Sequence, residues 1–458
     1  MTVFSQSVQV PVSPQTAFAW HERPGAFLRL RPPWEPVELL EHTGGIRDGA
    51  RVRLRIALVG TLRMHAVFGH CDYLEGERFV DEQISGPFSE YRHEHLFKAL
   101  KDGAACELRD HIRYRAPFGG GSIVARKLKK MFAYRHRIFA ADMEDIAQRG
   151  PCQPQTVLVT GVSGMIGAAL CARLQTRGHT VRTLSRSPNK DDPAAFGWSP
   201  SKGELDPAAL DGVGAVIHLA GAPIAQRWTP ERRREIMASR TASTSLLVSH
   251  LKTRPEQKVT FICSSGINYY GYDVAGPVDE HTGSGDGFLA EVCRAWEAAA
   301  APLEGLGHRV VSVRTGVVLS PEGGMLGKLL PLFRAGLGGP IGRGQRMLSW
   351  ISIEDIVEVF LRALEDAVYA GPINAVAPAP VSNQVFTREL ARVLRRPAVC
   401  PAPPCALKAA FGPMGEETIL SNLKVQPTVL QARGFTFRQA DLATALADLL
   451  NPHPAPEQ

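Results

Sequence analysis

The sequence has no apolar segment long enough to cross a membrane. Its longest uncharged runs, such as the one between Val259 and Tyr272, stay short of the roughly 20 residues that a membrane-spanning helix needs, so we expect no membrane span. The first residues, MTVFSQSVQVPVSP, also lack a basic segment followed by an apolar one. Because a secretory signal needs both, we expect a cytoplasmic protein.

Paired cysteines and a strong charge of one sign are missing as well. The chain has 8 Cys, none in a C-x-x-C pair, which favours reduced thiols over a disulfide framework. The net charge is only +7 over 458 residues, and no motif is typical of a nucleic-acid-binding module. We therefore expect no nucleic-acid partner. With 44% hydrophobic and 21% charged residues, the composition is that of a globular protein and excludes a disordered or fibrous one.

The first 146 residues alternate polar and apolar side chains, as half-buried strands do. A short helix is predicted at residues 13–22, where Ser13 can act as N-cap and Pro14 takes the first helical position. Helical spacing returns over residues 127–146. We predict an α+β domain in residues 1–146, in which a curved antiparallel sheet grips a long helix. The clearest predicted strands are residues 51–60, 76–85 and 104–115.

A short Pro/Gly/Gln-rich segment, residues 147–155, is typical of a linker. After it, strands and helices alternate, which predicts an α/β Rossmann domain with a doubly wound parallel sheet over residues 156–396. Residues 397–450 are predicted to form a small helical domain, and residues 451–458 a loose polar tail. The predicted strands of the parallel sheet are residues 156–160, 180–184, 215–219, 259–263 and 310–314.

A glycine-rich turn, TVLVTGVSGMIG, follows the first of these strands. A G-x-x-G-x-x-G spacing that leaves a strand and enters a helix is typical of dinucleotide binding, because the turn must be tight and backbone must approach the pyrophosphate. The free N–H groups at the helix N-terminus then face the phosphates. The alternative is a tight turn without a ligand. We assign cofactor contacts to Gly161, Ser163, Gly164, Met165, Ile166 and Gly167.

The end of the second strand indicates which dinucleotide binds. Folds that select NAD usually place an acid there, for the ribose 2′-OH. This chain has Ser185 followed by Arg186, and a guanidinium suits a 2′-phosphate. We therefore predict NADP, with NAD less favoured; the alternative is an Arg186 that stacks on adenine or faces water. The next strand ends in HLAG, whose small residues Leu219, Ala220 and Gly221 let backbone approach the cofactor.

Residues 155 to about 395 resemble the extended short-chain dehydrogenase/reductase superfamily. The resemblance rests on the glycine turn, HLAG, SSGINYYG and WISIEDI. It implies catalysis by Ser, Tyr and Lys, with Tyr and Lys four residues apart on a helix so that both face the nicotinamide. Glu297 matches a Glu that follows this Lys in extended members. Counting back puts Cys293 at the Lys position and Leu289 at the Tyr position, so the chain lacks the pair.

Three residues are left as catalytic candidates under this resemblance. Ser265, or its neighbour Ser264, matches the superfamily's catalytic Ser, and Arg240 falls where an Asn is usual in the preceding helix. A Cys293 thiol of lowered pKa could act as acid, base or nucleophile; its alternative is a small buried residue that fills the place of the Lys. Ser265 could equally cap a strand end. Arg240 could bind a ribose or phosphate of the cofactor, bind a substrate carboxylate, or form a structural ion pair.

An atypical branch of the superfamily also lacks the Tyr–Lys pair. Segments such as FLAEVCRAWE, FGWSP and LGGPIGRGQRMLSWI are similar to proteins labelled nucleotide-sugar epimerase family, YfcH-like or, in some cases, SulA-like cell-division proteins. Residues 401–450 resemble that branch's C-terminal domain of unknown function. Residues 1–146 resemble START/polyketide-cyclase-like (SRPBCC) ligand-binding domains, through VPVSPQTAFAW, RFVDEQISGPFSEYRHEH and IRYRAP.

Two functions remain open on this basis. The first is an NADP-dependent epimerase-, dehydratase- or oxidoreductase-like enzyme that acts on a small molecule without the Tyr–Lys pair. The second is a non-catalytic NADP(H)-binding sensor or scaffold, with a possible link to cell division. The reaction itself is left undefined, because the fold alone does not specify it.

The apolar alternation of the first domain indicates a cavity between sheet and helix that takes a hydrophobic or amphipathic small molecule. The alternative is a space filled by the domain's own side chains.

His93 and His95 stand two apart on a predicted strand and therefore share a face. Two imidazoles can ligate a metal, but no third ligand is evident at a useful spacing, so we expect no metal site.

Overall fold

The computed structural model of the protein describes residues 1–35, 37–57, 63–116 and 120–450. The predicted tail at 451–458 and the end of the predicted strand 51–60 lie outside them. None of the helices in this part of the chain combines the length and apolar character that a membrane crossing requires. The chain divides into two compact units. The first holds Met1–Gln153 with Ala172–Gly178, and the second holds Pro154–Cys171 with His179–Leu450.

The first unit is built on a seven-stranded antiparallel sheet. Its strands in chain order are β1 Thr2–Val10, β2 Val37–Thr43, β3 Arg51–Ala57, β4 Arg63–Leu74, β5 Arg78–Ser85, β6 Glu90–Leu100 and β7 Ala105–Arg115. They lie side by side in the order β1-β7-β6-β5-β4-β3-β2. The predicted strands 76–85 and 104–115 are confirmed within two residues.

One face of this sheet is covered by helices. Ser13 caps the first helix as predicted, since its Oγ accepts a hydrogen bond of 3.2 Å from Thr16 N. Phe132 and Phe139 of the long helix are buried against the sheet. That helix begins six residues before the predicted segment 127–146 and ends three after it. The helices are α1 Pro14–Glu22, α2 Ala26–Arg29 and α3 Gly121–Arg149.

The second unit contains an eight-stranded sheet with three short strand pairs beside it. Its strands are β8 Thr156–Thr160, β9 Thr180–Ser185, β10 Ala195–Ser199, β11 Glu204–Leu205, β12 Ala215–His218, β13 Thr260–Gly266, β14 Asp273–Val278, β15 Arg309–Thr315, β16 Val317–Leu319, β17 Met347–Leu348, β18 Trp350–Ser352, β19 Gly371–Ala375, β20 Val381–Ser382 and β21 Asn422–Val425. The large sheet has the order β11-β10-β9-β8-β12-β13-β15-β19. All its pairs are parallel except β10–β11, which confirms the predicted Rossmann-like sheet.

Helices alternate with these strands, as expected for parallel crossovers. The helix after the glycine turn spans the predicted residues. Thr229 caps the next one, and its Oγ1 accepts a 3.2 Å hydrogen bond from Arg232 N. The helices are α4 Met165–Arg177, α5 Pro230–Lys252, α6 Phe288–Ala300, α7 Gly324–Arg334, α8 Ile353–Glu365, α9 Asn383–Leu394, α10 Pro404–Phe411, α11 Thr428–Ala432 and α12 Leu442–Leu450.

The C-terminal segment differs from the purely helical domain predicted for residues 397–450. It contributes β21, which pairs in parallel with β14. It also supplies Glu417, whose two carboxylate oxygens accept hydrogen bonds from Phe288 N and Leu289 N at 3.0 and 2.8 Å. A carboxylate satisfies the free N–H groups at a helix N-terminus and complements its dipole. The C-terminal segment therefore fixes the start of α6. Sequence patterns missed this because strand pairing and capping partners lie far apart in the chain.

Candidate active site

The glycine turn between β8 and α4 has room only for glycine at two positions. Gly161 has a φ of +75°, and a Cβ there would lie 2.8 Å from Leu219 C. A Cβ on Gly167 would lie 2.3 Å from Gly161 O. Such distances are sterically forbidden, so the turn is tight and α4 packs directly against it. This is the geometry that brings backbone close to a pyrophosphate.

The middle of the turn is open at the N-terminus of α4. Gly164 N donates to Gly161 O at 3.0 Å, which shapes the turn. Ser163 and Gly164 are exposed, whereas Met165 and Ile166 are half-buried. The structure thus brings the six predicted cofactor residues of this turn together where the first N–H groups of a 13-residue helix point outward. A dinucleotide phosphate fits this site.

The HLAG segment is held next to the turn by Thr160. Its Oγ1 accepts hydrogen bonds of 3.1 Å from both Leu219 N and Ala220 N. The same oxygen lies 2.7 Å from His218 Nδ1. Burial, assisted by the charge of Arg240, lowers the pKa of His218 to about 3, so the ring is neutral. The backbone that lines the predicted cofactor site is therefore fixed by neutral hydrogen bonds.

The end of β9 carries an arginine that has no partner among the described residues. Ser185 Oγ accepts a hydrogen bond of 3.2 Å from Ser187 N, so this side chain shapes the loop. Arg186 is exposed and bonds to none of the described residues. Its guanidinium is free to meet an anion.

Ser265 lies at the centre of a buried polar network. Its Oγ donates to Glu297 Oε1 at 2.7 Å. Arg314 binds both oxygens of the same carboxylate, with Nε to Oε1 and Nη2 to Oε2 at 2.9 Å each. Arg314 Nη1 also donates to the Tyr270 hydroxyl at 3.0 Å, and that hydroxyl donates to Asn374 Oδ1 at 2.8 Å. The polar groups of this network, here called the serine–arginine cluster, satisfy one another.

Charge within the serine–arginine cluster is balanced. Arg314 is only 4% exposed in its side chain, and its guanidinium carbon lies 3.4 Å from the centre of the Tyr269 ring. Burial works against its charge, but the hydrogen bonds to Glu297 leave the pKa of Arg314 raised. Burial raises the pKa of Tyr270. The cluster thus holds a charged guanidinium bonded to a carboxyl group, beside a neutral phenol.

Cys293 lies beside Ser265. A Cβ placed on Gly266 would lie 3.6 Å from Cys293 Sγ. The thiol is 6% exposed, and burial raises its pKa to about 11. Leu289, one turn earlier on α6, is 4% exposed. This face of α6 is therefore apolar and its thiol is protonated, so the lowered pKa that a nucleophile needs is not found.

Arg240 connects the HLAG segment with α5 and α6. Its Nη1 donates to Ala222 O at 3.2 Å and to Ile236 O at 3.0 Å, and its guanidinium lies 5.0 Å above the Trp296 ring. A Cβ on Gly221 would lie 2.9 Å from the Arg240 Cζ. Among the described residues Arg240 has no carboxylate partner, so the ion pair considered as an alternative is not found.

Sequence reasoning used Glu297 only as an alignment marker and missed Arg314, Tyr270 and Asn374. Arg314 could have been found from its position, because it lies near the end of β15, the strand that pairs with the strand of Ser265. The two residues are direct neighbours in the β13–β15 register. A cleft of about 570 Å³ opens beside Tyr270, and its lining also includes Tyr272, Arg346, Lys408 and Glu416. Of the residues in the serine–arginine cluster, only Tyr270 lines this cleft.

In the first unit, the reason for expecting no metal does not hold. A third ligand is present, because the strand register puts Asp81 directly across from His93. One ligand atom from each of Asp81, His93 and His95 lies within 4.8 Å of the others. The spacing argument failed because Asp81 stands on a neighbouring strand.

Comparison with known proteins places this chain in an epimerase family. Residues 157–375 match the NAD dependent epimerase/dehydratase family, and residues 402–449 match a domain of unknown function, DUF1731. An epimerase family protein of Mycobacterium bovis is 40% identical over 292 residues, which cover 63% of this chain and 96% of the relative.

Two solved structures are also similar. One is the nucleoside-diphosphate sugar epimerase from Corynebacterium glutamicum, with 32% identity, a TM-score of 0.80 and coverage of 98% of this chain and 90% of that chain. The other is the human epimerase family protein SDR39U1 with NADPH, with 34% identity, a TM-score of 0.60 and coverage of 64% and 99%. The chain belongs to the epimerase family of atypical short-chain dehydrogenases/reductases and carries a C-terminal DUF1731 domain.

Proposed function

We propose that this protein binds NADP(H) at the glycine turn and acts on a small molecule as an epimerase- or oxidoreductase-like enzyme without the Tyr–Lys pair. The observation that carries the cofactor assignment is the exposed, unbonded Arg186 at the end of β9, beside a turn that accepts only glycine at two positions. The human relative of known structure holds NADPH, which supports the same choice. An unpaired guanidinium favours a 2′-phosphate over a 2′-OH.

The serine–arginine cluster supplies the groups that would move a proton. When bound, NADP⁺ would supply the acceptor for a hydride from a substrate carbon. Ser265 could then accept the proton of the substrate hydroxyl while its own proton passes to Glu297 Oε1, 2.7 Å away. Arg314 would hold the Glu297 carboxyl group in place through two hydrogen bonds. In this proposal Glu297 acts through Ser265 and replaces the missing phenolate base.

Ser265 and Arg240 remain the predicted site residues under this proposal, whereas Cys293 is assigned a packing role. Arg240 would hold the HLAG backbone against the cofactor, since its hydrogen bonds go to Ala222 O and Ile236 O. The protonated thiol of Cys293 lacks the reactivity of a thiolate.

The cofactor assignment is tested by replacing Arg186. We expect the unmodified protein to bind NADPH more tightly than NADH. Arg186→Ala should reduce this difference in binding free energy, here called the gap, by on the order of 1.5–3 kcal/mol, which is the usual contribution of a charge-assisted hydrogen bond. The matched control is Lys190→Ala, an exposed cation four residues further on, which should leave the gap unchanged. Calorimetric titration of the three proteins with each cofactor measures all six affinities. Equal or better binding of NADH by the unmodified protein contradicts the assignment.

Turnover is tested with a panel of nucleotide sugars and carbonyl compounds. We choose nucleotide sugars first because the Corynebacterium glutamicum neighbour is named for such a substrate. The expected result is NADPH oxidation, NADP⁺ reduction or epimerised product with at least one compound. Ser265→Ala should then lower kcat strongly while NADPH affinity stays the same, because the hydroxyl would act on the substrate proton.

The second candidate function is a non-catalytic NADP(H)-binding sensor or scaffold. It is favoured by the apolar face of α6, where Leu289 and Cys293 are buried at the positions of the missing pair. Binding of NADPH without turnover on any compound of the panel supports this second function. Turnover that Ser265→Ala abolishes supports the first.

The first domain keeps its START-like interpretation as part of the proposal. An antiparallel sheet with a 29-residue helix on one face supports it. The hydrophobic ligand has less support, since two clusters of the domain's own apolar side chains fill space between helix and sheet. We also keep the boundaries 1–146, 147–155, 156–396 and 397–450, which limited proteolysis of the full chain would test.

A further inference from the structure

Six ionisable side chains meet on the helix-facing side of the first sheet, far in sequence from the glycine turn. The pairing register of the sheet strands brings most of this group together. Asp81 on β5 lies opposite His70 on one side and His93 on the other, while His95 lies opposite Asp110. We call the group the histidine–aspartate cluster. Its members are His70, Asp81, His93, His95, Asp110 and His136.

Three atoms of the histidine–aspartate cluster lie within 4.8 Å of one another, and two of the distances between them suit ligands of one metal ion. Asp81 Oδ2 lies 3.4 Å from His93 Nδ1 and 3.3 Å from His95 Nε2. Ligands about 2.1 Å from a Zn²⁺-sized ion stand about 3.0–3.4 Å apart in octahedral or tetrahedral geometry. Both imidazoles are buried, at 2% and 7% exposure, whereas the Asp81 side chain keeps 23%. The set is therefore ordered by packing yet accessible at its carboxylate.

The other ring nitrogens of both histidines face a second carboxylate. His93 Nε2 and His95 Nδ1 each lie 2.8 Å from Asp110 Oδ1. Metal-binding histidines usually donate their remaining N–H to a carboxylate, which fixes the ring and raises its basicity. Asp110 is fixed in turn by His136 Nε2, 2.6 Å from its Oδ2. This arrangement orients both rings toward Asp81.

The cluster also leaves polar atoms without a good hydrogen bond. His70 Nδ1, His95 Nδ1 and His136 Nδ1 are buried without a well-aligned hydrogen bond. His95 Nδ1 is close to Asp110 but lies off the line of a good bond. Within the described residues, the ion pairs of Asp81 and Asp110 are all with histidines. A divalent ion bound at Asp81 would place positive charge beside both carboxylates.

We propose that Asp81, His93 and His95 bind one divalent first-row transition-metal ion, with Asp110 as the carboxylate that orients both histidines. Imidazole nitrogen with one carboxylate oxygen suits Zn²⁺ and its neighbours. Three protein ligands leave at least one coordination position for water or a small molecule. The site is separate from the NADP(H) proposal and uses none of its residues.

The test uses full-length, tag-free protein freed of metal with a chelator. Titration with Co²⁺ should give visible absorption bands that saturate at one ion per chain, and Zn²⁺ should displace them. Asp81→Asn keeps the side chain's size but removes the anionic ligand, so the bands should be lost. Asp110→Asn should weaken binding about 10- to 100-fold, the usual effect of losing the partner of a ligating histidine.

His111→Ala is the matched control. His111 stands on β7 between Asp110 and Ile112, and strand alternation points it to the opposite face of the sheet. The His111→Ala variant should bind Co²⁺ as tightly as the unmodified protein does. His95→Gln repeats the ligand test if Asp81→Asn fails to fold. The proposal is overturned if the unmodified protein shows no such bands, or if a folded ligand variant binds Co²⁺ as tightly as the control.

Discussion

The two buried polar clusters of this protein satisfy their charges in different ways. In the serine–arginine cluster, Arg314 occupies both oxygens of Glu297, and the remaining hydroxyls bond to one another. In the histidine–aspartate cluster, two carboxylates face only imidazoles, and three ring nitrogens lack a well-aligned partner. One cluster is complete with its own side chains, and the other has the composition of a binding site.

The comparison shows what a buried network can reveal about function. A complete network orients groups, here Ser265 beside the predicted nicotinamide site, and needs no additional ion. An incomplete one retains a desolvation penalty that a ligand can relieve. Removing a member of the first should therefore cost stability, whereas adding an ion to the second should increase it.

The largest effect is expected from Glu297→Met, which breaks the complete cluster. It leaves the Arg314 guanidinium buried without its carboxylate. Removing one partner of a buried ion pair typically costs about 3–5 kcal/mol. Urea unfolding followed by circular dichroism measures the change. The control is Glu231→Met, which breaks an exposed pair with Arg234, whose side chains are 72% and 76% exposed. It should cost at most about 1 kcal/mol, and equal losses in the two variants would show that the network does not support the fold.

The next effect is stabilisation of the incomplete cluster by metal. At 100 times its dissociation constant, Zn²⁺ should stabilise the first unit by about 2.7 kcal/mol, as linkage requires for one ion that binds only the folded state. Zn²⁺ should not stabilise the Asp81→Asn variant. Thermal unfolding with and without Zn²⁺ measures both. A shift of the same size in Asp81→Asn would mean that the ion binds elsewhere.

The smallest effect is expected at Cys293, which touches the complete cluster without belonging to it. Its thiol is buried and protonated, with a pKa of about 11. Cys293→Ala should cost about 1 kcal/mol through the lost apolar contact and leave NADPH affinity and any turnover intact. Cys400→Ala, at an exposed thiol, should change neither. Loss of turnover in folded Cys293→Ala would return the thiol to the mechanism.

Sequence patterns predicted those parts of the protein that depend on neighbours along the chain. The Ser13 cap, the glycine turn and the helix α4 that follows it can all be predicted from spacing within a few residues. Each needs a local backbone shape that few residues can adopt. The parallel sheet was predicted for the same reason, since its strands are short, apolar and separated by helices.

Neither polar cluster could be predicted, because each is assembled by contacts between segments that lie far apart in the chain. Ser265 and Glu297 are 32 positions apart, and His93 and Asp110 are 17 apart. The sequence identified one member of each contact, Ser265 and His93, but not the partner that gives it a role. Glu417 shows the same limit, since it caps α6 from 129 positions away.

The central claim is that the glycine turn holds NADP(H), and titration of NADPH into three proteins tests it most directly. The unmodified chain should bind one NADPH. Gly167→Ala should bind none, because the added Cβ would lie 2.3 Å from Gly161 O and distort the turn. Gly283→Ala, where a Cβ has nothing within 4 Å, should bind as the unmodified chain does. Absence of NADPH binding in the unmodified chain, or unchanged binding in folded Gly167→Ala, would contradict the account.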